Sequence, residues 1–462
     1  MKLLKYFLPL GLFAFAAVSC SDNMEDDVTL TPVTASVDAI AEGSTVDLLL
    51  HRSLTVKFNH SVMIADPAGI TLNGAPVEGA EANVCELTVP LALEAGKDYT
   101  FAIADGALVR YEHPELAVPA YTLHFSTAEL PVLDANLTDP AATPEAKALF
   151  AMLQSQYGQK TMSGTMGKDG WTTEYYDLIS EVSGEKPAVV GFDYIHLASS
   201  PSNWVDYGDI TPVREAWEGG SIVQLMWHWR VPRLDNPKAT LDYGTSRFSP
   251  SEAMVEGTWE NKAFKADIAK VAGYLKLIQD ANIPVLFRPF HEAAGDYGYG
   301  PWFWWGAEGV EVTKQLWDYL RNELINTYGI HNLIWCWTVQ TSSSGQLATL
   351  DEISSAYPGN DKCDYVGVDI YSTDDLFSDF DRFYLVRQLT EGKKMIALAE
   401  CGMLPDLDTT MPKGESWLYF MQWYETKDGA AAIVSYSPAE TWQKVVASPY
   451  CLGRDEVKAL RK

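Results

Sequence analysis

Two hydrophobic patterns divide this chain. Between residues 34 and 128 apolar and polar positions alternate: Leu54, Val56 and Phe58 in SLTVKF, Tyr99, Phe101 and Ile103 in YTFAIA, Tyr121, Leu123 and Phe125 in YTLHF. A period of two marks half-buried strands, and the intervening LNGAPVEGA and LEAGKD read as turns. About seven such strands in about 95 residues predict a small all-β Ig-like sandwich. From 136 to 460 the period changes. Eight apolar runs follow in order: QKTMSGT, KPAVVGFD, SIVQLMWHW, IPVLFRPFHE, NLIWCWT, DYVGVDIY, MIALAE and WLYFMQWY. Helical stretches separate them, among them NKAFKADIAKVAGYLKLIQDAN and VTKQLWDYLRNELINTYG, and Thr143-Pro144 opens a helix that carries Leu149, Leu153 and Tyr157 on one face. Alternating strands and helices predict the α/β class, here a (β/α)8 TIM barrel whose site lies at the C-terminal strand ends. A doubly wound sheet is the competing architecture.

The first residues belong to neither pattern. Lys2 and Lys5 precede YFLPLGLFAFAAV, an apolar run too short to span a bilayer, so residues 1–19 read as a signal peptide. The run ends in AVSC, which resembles a bacterial lipobox with Cys20 as the acylated residue. The following SDNMEDD, in an acidic tether over 20–33, resembles the surface-export signal of Bacteroidetes lipoproteins. The expectation is an outer-membrane lipoprotein exposed at the cell surface, with the periplasmic face as the fallback. The segment 34–128 carries no constellation of titratable residues and reads as a spacer, with glycan binding the lesser alternative.

Charge narrows the partners. Against 34 basic residues stand 62 acidic ones, a net charge of −28. Nucleic acid and anionic lipid are excluded, since both require basic patches; the membrane is met only through Cys20, and a monomer is expected. The 15 Trp, 23 Tyr and 17 Phe fit a large core or sugar stacking, because a pyranose offers an apolar face to an indole. Cys85, Cys336, Cys363, Cys401 and Cys451 show no CxxC spacing and point to neither zinc nor redox chemistry.

The barrel pattern directs attention to two acids. Run four ends at His291-Glu292 and run seven at Glu400. Two carboxylates from separate strands at one rim are what glycoside cleavage requires, one to protonate the leaving oxygen and one to attack or to activate water. A zinc HExxH site fails, because His291-Glu292-Ala293-Ala294-Gly295 lacks the second His. No G-x-S-x-G elbow is present, and GDYGYG is no phosphate loop. No metal and no cofactor are implied.

RPFHEAAG followed by WFWWG resembles the strand-four motif of glycoside hydrolase family 26, the β-mannanase family of retaining (β/α)8 enzymes. ALAECG resembles its strand-seven motif, and VGFDY, MWHWRVP, VDIYS and YFMQW fall at matching strand ends. The resemblance covers roughly residues 140–460. It implies Glu292 as general acid/base, its pKa raised by burial and a neighbouring carboxylate, and Glu400 as nucleophile. It further implies His228 as a substrate contact, Tyr371 as hydrogen-bond donor to Glu400, and Trp302 and Trp423 as sugar platforms. His291 either meets substrate or orients the site, and Asp193 either binds a hydroxyl or caps a helix. Arg288 organises the carboxylates from below, while Phe303, Trp304 and Trp305 pack the wall. The insert DYGYGP departs from the family pattern and borders the site. The implied activity is hydrolysis of β-1,4-linked mannose polymers. β-1,3-xylan, mixed-linkage glucan and a non-catalytic glycan-binding lipoprotein are the alternatives.

Overall fold

The computed structural model describes residues 31–47, 49–168, 171–232, 247–371, 379–423 and 437–461. The expected signal peptide, Cys20 and the first part of the expected tether lie outside them. The chain divides into two compact units after Glu129. No helix among the described residues is long and apolar enough to cross a membrane.

The first unit is all-β. Among the described residues, twelve short strands form sheets of four, three and five. Leu54, Val56, Phe58, Tyr99, Phe101, Ile103, Leu123 and Phe125 bury the inward face that their alternation predicts. There are more strands than alternation shows, because several have only two or three residues, too few for a period to be visible.

The second unit is a closed barrel of eight parallel strands in chain order. They are β1 Gly164–Met166, β2 Val189–Asp193, β3 Ile222–Trp227, β4 Val285–Pro289, β5 Leu333–Val339, β6 Tyr365–Ile370, β7 Met395–Cys401 and β8 Phe420–Gln422. Each overlaps one of the eight predicted runs, and three extend one residue past the run's end, to Met166, Val339 and Cys401. Nearly every strand residue is buried on both faces, as the continuous apolar runs require of strands lined by helices outside and side chains inside. The helix predicted at Thr143 is Pro144–Gln156, capped by the Thr143 hydroxyl, with Leu149 and Leu153 buried. The two long helical runs form Trp259–Asp280 and Val310–Asn322.

Two local departures from regular strand geometry place the chemistry. β4 stops at Pro289 because Phe290 and Glu292 adopt left-handed backbone, φ 53° and 51°, which turns the chain sharply at the barrel rim. On β7, Val368 pairs with Leu398, but the next partners are Asp369 and Glu400. Ala399 is therefore the extra residue of a β-bulge, and the bulge sets Glu400 beside Asp369.

Candidate active site

At the C-terminal rim a carboxylate oxygen from each of Glu292, Asp369 and Glu400 lies within 4.8 Å of the others. Such a trio invites a cation, but the protein supplies its own. Arg288 on β4, fully buried, donates to Asp369 at 2.9 Å and, through its other terminal nitrogen, to Glu400. Thr338 accepts from the same guanidinium at 3.1 Å. Burial opposes the charge on Arg288, yet Asp369 and Glu400 raise its pKa well above the usual value. A permanent positive charge on the barrel floor thus balances acids that would otherwise be too costly to bury. The donor set is complete without a metal ion.

The two catalytic candidates sit in different surroundings. Glu292 is pushed up to about 7 by burial and by the charge of Glu400, against the pull of the Trp302 indole, which donates to its Oε2 at 2.7 Å. A carboxyl so placed keeps a proton near neutrality. Glu400 is 4% exposed and accepts at both oxygens, from Arg288 and from the Tyr371 hydroxyl at 2.6 Å. Burial and Glu400 hold the Tyr371 phenol well above its ordinary pKa, so it remains a donor. One acid is thus primed to give a proton, and the other is held and aimed by two donors.

Beside them runs a buried relay. Asp193, at the end of β2, accepts from the backbone N–H of His228 at 3.0 Å and meets its Nδ1 at 2.5 Å. His228 Nε2 lies 2.9 Å from His291 Nε2. Burial alone would lower His228, but Asp193 more than offsets this and its pKa is raised. Burial and that nearby charge press His291 well below the ordinary value. His228 thus bridges the Asp193 carboxylate and the His291 imidazole. These contacts bear on three expectations. Asp193 holds the backbone N–H and the imidazole of His228. His228, 8% exposed, has a protein partner within hydrogen-bond distance of each ring nitrogen. His291 is an orienting residue, held also through its carbonyl by the Trp305 indole at 2.8 Å.

The aromatic run divides as its exposure dictates. Trp302 is 43% exposed and Trp304 and Trp305 are fully buried, while Phe303 stacks on Trp305 with centroids 4.4 Å apart. Trp423, after β8, packs its ring 5.3 Å from that of His228. A cavity of about 480 Å³ opens over the acids, lined by Glu292, Trp302, Asp369 and Tyr371 on one side and by Asp296, Gln340, Thr341 and Ser342 on another. Sequence reasoning missed Asp369, Asp296 and Gln340. For Asp369 a signal existed: a lone acid within the apolar run VGVDIY must be paired if it is buried.

An eight-stranded parallel barrel with an Arg-balanced carboxylate pair at its C-terminal rim, one acid protonated and one aimed, defines the class of barrel glycosidases. The comparisons narrow the class. Residues 138–456 match the model of glycosyl hydrolase family 26, and the chain belongs to that family. It is 32% identical over 304 residues, 63% of its own length, to mannan endo-1,4-beta-mannosidase B of a Piromyces species, and 31% identical over 336 residues, 71% of its length, to the mannan endo-1,4-beta-mannosidase of Thermothelomyces thermophilus. The matches span only 48% and 64% of those two relatives. Among solved structures it resembles the family 26 domain of a Prevotella bryantii endo-beta-mannanase/endo-beta-glucanase, with TM-score 0.64, 36% identity, and coverage of 70% of this chain and 99% of that one. It also resembles a beta-mannanase from a symbiotic protist of the termite Reticulitermes speratus, complexed with gluco-manno-oligosaccharide: TM-score 0.61, 30% identity, 71% and 98% coverage.

Proposed function

We propose that this chain is a retaining β-mannanase, cutting β-1,4-mannosidic bonds in mannan, galactomannan or glucomannan, and that a lipid on Cys20 tethers it to the outer membrane, its surface-exposed barrel carried on an Ig-like spacer. The observation that carries the catalytic reading is the approach of Glu292 and Glu400 to within 4.8 Å. Retaining pairs stand about 5–5.5 Å apart, whereas inverting pairs leave about 6.5–9.5 Å for a water. The names of the relatives support the mannan backbone as substrate.

In the first step Glu400 attacks the anomeric carbon and the C–O bond to the leaving sugar breaks. Glu292 delivers its proton to the departing oxygen. The product is a glycosyl ester on Glu400, with Glu292 now ionised. Glu292 then takes a proton from water, whose oxygen displaces Glu400 and restores the starting charges. Arg288 and Tyr371 hold Glu400 in line for both steps. Trp302 and Trp423 serve as stacking surfaces.

Proton NMR in the first minutes of manno-oligosaccharide hydrolysis tests this. The β-anomer should appear first and mutarotate later; initial α-anomer would overturn retention. Hydrolysis of mannan and glucomannan should exceed that of β-1,3-xylan and mixed-linkage glucan, and the reverse ranking would overturn the substrate assignment. Cys20→Ala should release the protein from the membrane fraction.

A further inference from the structure

The atypical DYGYGP stretch is organised around one carboxylate. Asp296, buried, accepts five hydrogen bonds. Oδ1 takes the backbone N–H groups of Gly298 at 2.8 Å, Tyr299 at 3.2 Å and Ser344 at 2.7 Å. Oδ2 takes the Ser342 hydroxyl at 2.7 Å and the Gly345 N–H at 3.2 Å. Burial would raise its pKa, yet these donors bring it down to about 2.

Two of the donors come from its own loop and three from elsewhere. Ser342–Ser343 pairs with Gln346–Leu347 in a small hairpin after β5. Its turn passes through Ser344 and Gly345, both at positive φ (52° and 75°), a conformation natural to glycine and unfavourable to serine. Asp296 holds the N–H groups of both turn residues. The contact is close: a Cβ on Gly298 would stand 1.8 Å from Ser344 Oγ, so the loop meets the hairpin only because position 298 is glycine. Tyr297 adds a backbone bond to Ser342 at 3.0 Å.

At its other end the same loop is closed by backbone bonds between Asp296 and Gly300, at 3.2 and 2.5 Å. Pro301 and Trp302 follow directly, and Trp302 donates to Glu292. We infer that Asp296 is a positioning residue for the reaction proposed above: by locking the β4 loop to the β5 hairpin it fixes the indole of Trp302 on the carboxyl of Glu292 and the cavity wall formed by Gln340, Thr341 and Ser342. The inference rests on Glu292 being the proton donor. Asparagine cannot replace Asp296, since an amide presents one acceptor oxygen and would direct its own N–H groups at donors.

The consequence is readable in a pH profile. A donor on Glu292 favours its ionised form, so an indole that drifts away raises the carboxyl's pKa. The test measures kcat, KM and the pH dependence of kcat/KM on a soluble galactomannan for the wild type, Asp296→Ala, Asp296→Asn, Ser342→Ala, Trp302→Phe and the double variant Asp296→Ala/Trp302→Phe. Expected is an upward move of the alkaline limb by about half a pH unit in both Asp296 variants, with KM raised several-fold. Ser342→Ala, which loses a single donor, should show a smaller move in the same direction with its melting temperature nearly unchanged. Trp302→Phe should move the limb as far as Asp296→Ala, and the double variant no further. An unmoved limb in Ser342→Ala and Asp296→Asn, or additive shifts in the double variant, would overturn the inference. Absence of β-mannan hydrolysis by the wild type would instead sink the proposed function, and this inference with it.

Discussion

Tyr371 gives its phenolic proton to Oε2 of Glu400 at 2.6 Å while remaining 39% exposed. A residue that orients the attacking carboxylate thus also stands at the cavity surface. Tyr371→Phe keeps the ring and deletes the donor. A hydrogen bond to a charged group contributes about 1.5–3 kcal/mol, so kcat on manno-oligosaccharides should fall roughly 10- to 150-fold. An unchanged kcat would mean that Arg288 aims Glu400 unaided.

Glu292 must be protonated to act, and its pKa is about 7. The fraction of competent enzyme therefore falls as pH rises through about 7, and kcat/KM should show its alkaline limb there. The same shift has a sign for stability. Folding raises this carboxyl from 4.5 to about 7, so its favourable contribution is present below pH 4.5 and is lost as pH rises through 7. Glu292→Gln, inactive through loss of the acid by about 10²–10⁴-fold, should be more stable than the wild type at pH 9 by about 3 kcal/mol. At pH 4 the two should be nearly equal, and urea unfolding at both values checks the difference.

Arg288 is fully buried with two acids on its nitrogens. Arg288→Met would strand Asp369 and Glu400 without a counter-charge, and breaking a buried pair from one side costs about 3–5 kcal/mol. The melting temperature should drop accordingly. Adding Asp369→Asn should recover part of the loss, because the two positions share one interaction. Strictly additive losses would refute the coupling.

Asp193→Asn tests the relay. His228 has a raised pKa, so the stability it draws from Asp193 is complete below its unfolded value near 6.5 and is lost as pH rises through the folded one. Asp193 has a lowered pKa and contributes above its unfolded value near 3.8. Between these limits both are charged. The variant should lose more stability at pH 5.5 than at pH 9, and equal losses would show that the bond is not charge-assisted.

Much of the barrel was legible because strands sealed between helices and an interior leave unbroken apolar runs, and the ends of runs four and seven expose Glu292 and Glu400 to reading. The capped start at Thr143 was legible for the same local reason. What stayed hidden depends on contacts distant in sequence. The five donors of Asp296 come partly from residues 342–345, and a loop reading of DYGYGP contains no trace of them. Asp193, His228 and His291 were each singled out, but separately, His291 as a substrate contact or an orienting residue and Asp193 as a hydroxyl ligand or a helix cap; only the fold stacks them into one chain of contacts. The short strands of the first unit eluded the period-two rule simply by being shorter than a period can reveal.

Ala399 shows how little separates a packed strand from a reactive one. It touches no substrate in the mechanism above, and its methyl group is unremarkable barrel filling. Its presence alone makes the ladder miscount by one between β6 and β7, so that the acid after it turns toward Asp369 instead of away. Were Ala399 instead to take a regular place in the ladder opposite Asp369, Glu400 would shift by one position to face Ile370 and the other side of the sheet, leaving a better-paired strand without its attacking carboxylate at the site. Here the defect in the strand, rather than the strand itself, is what brings the two acids of β6 and β7 together.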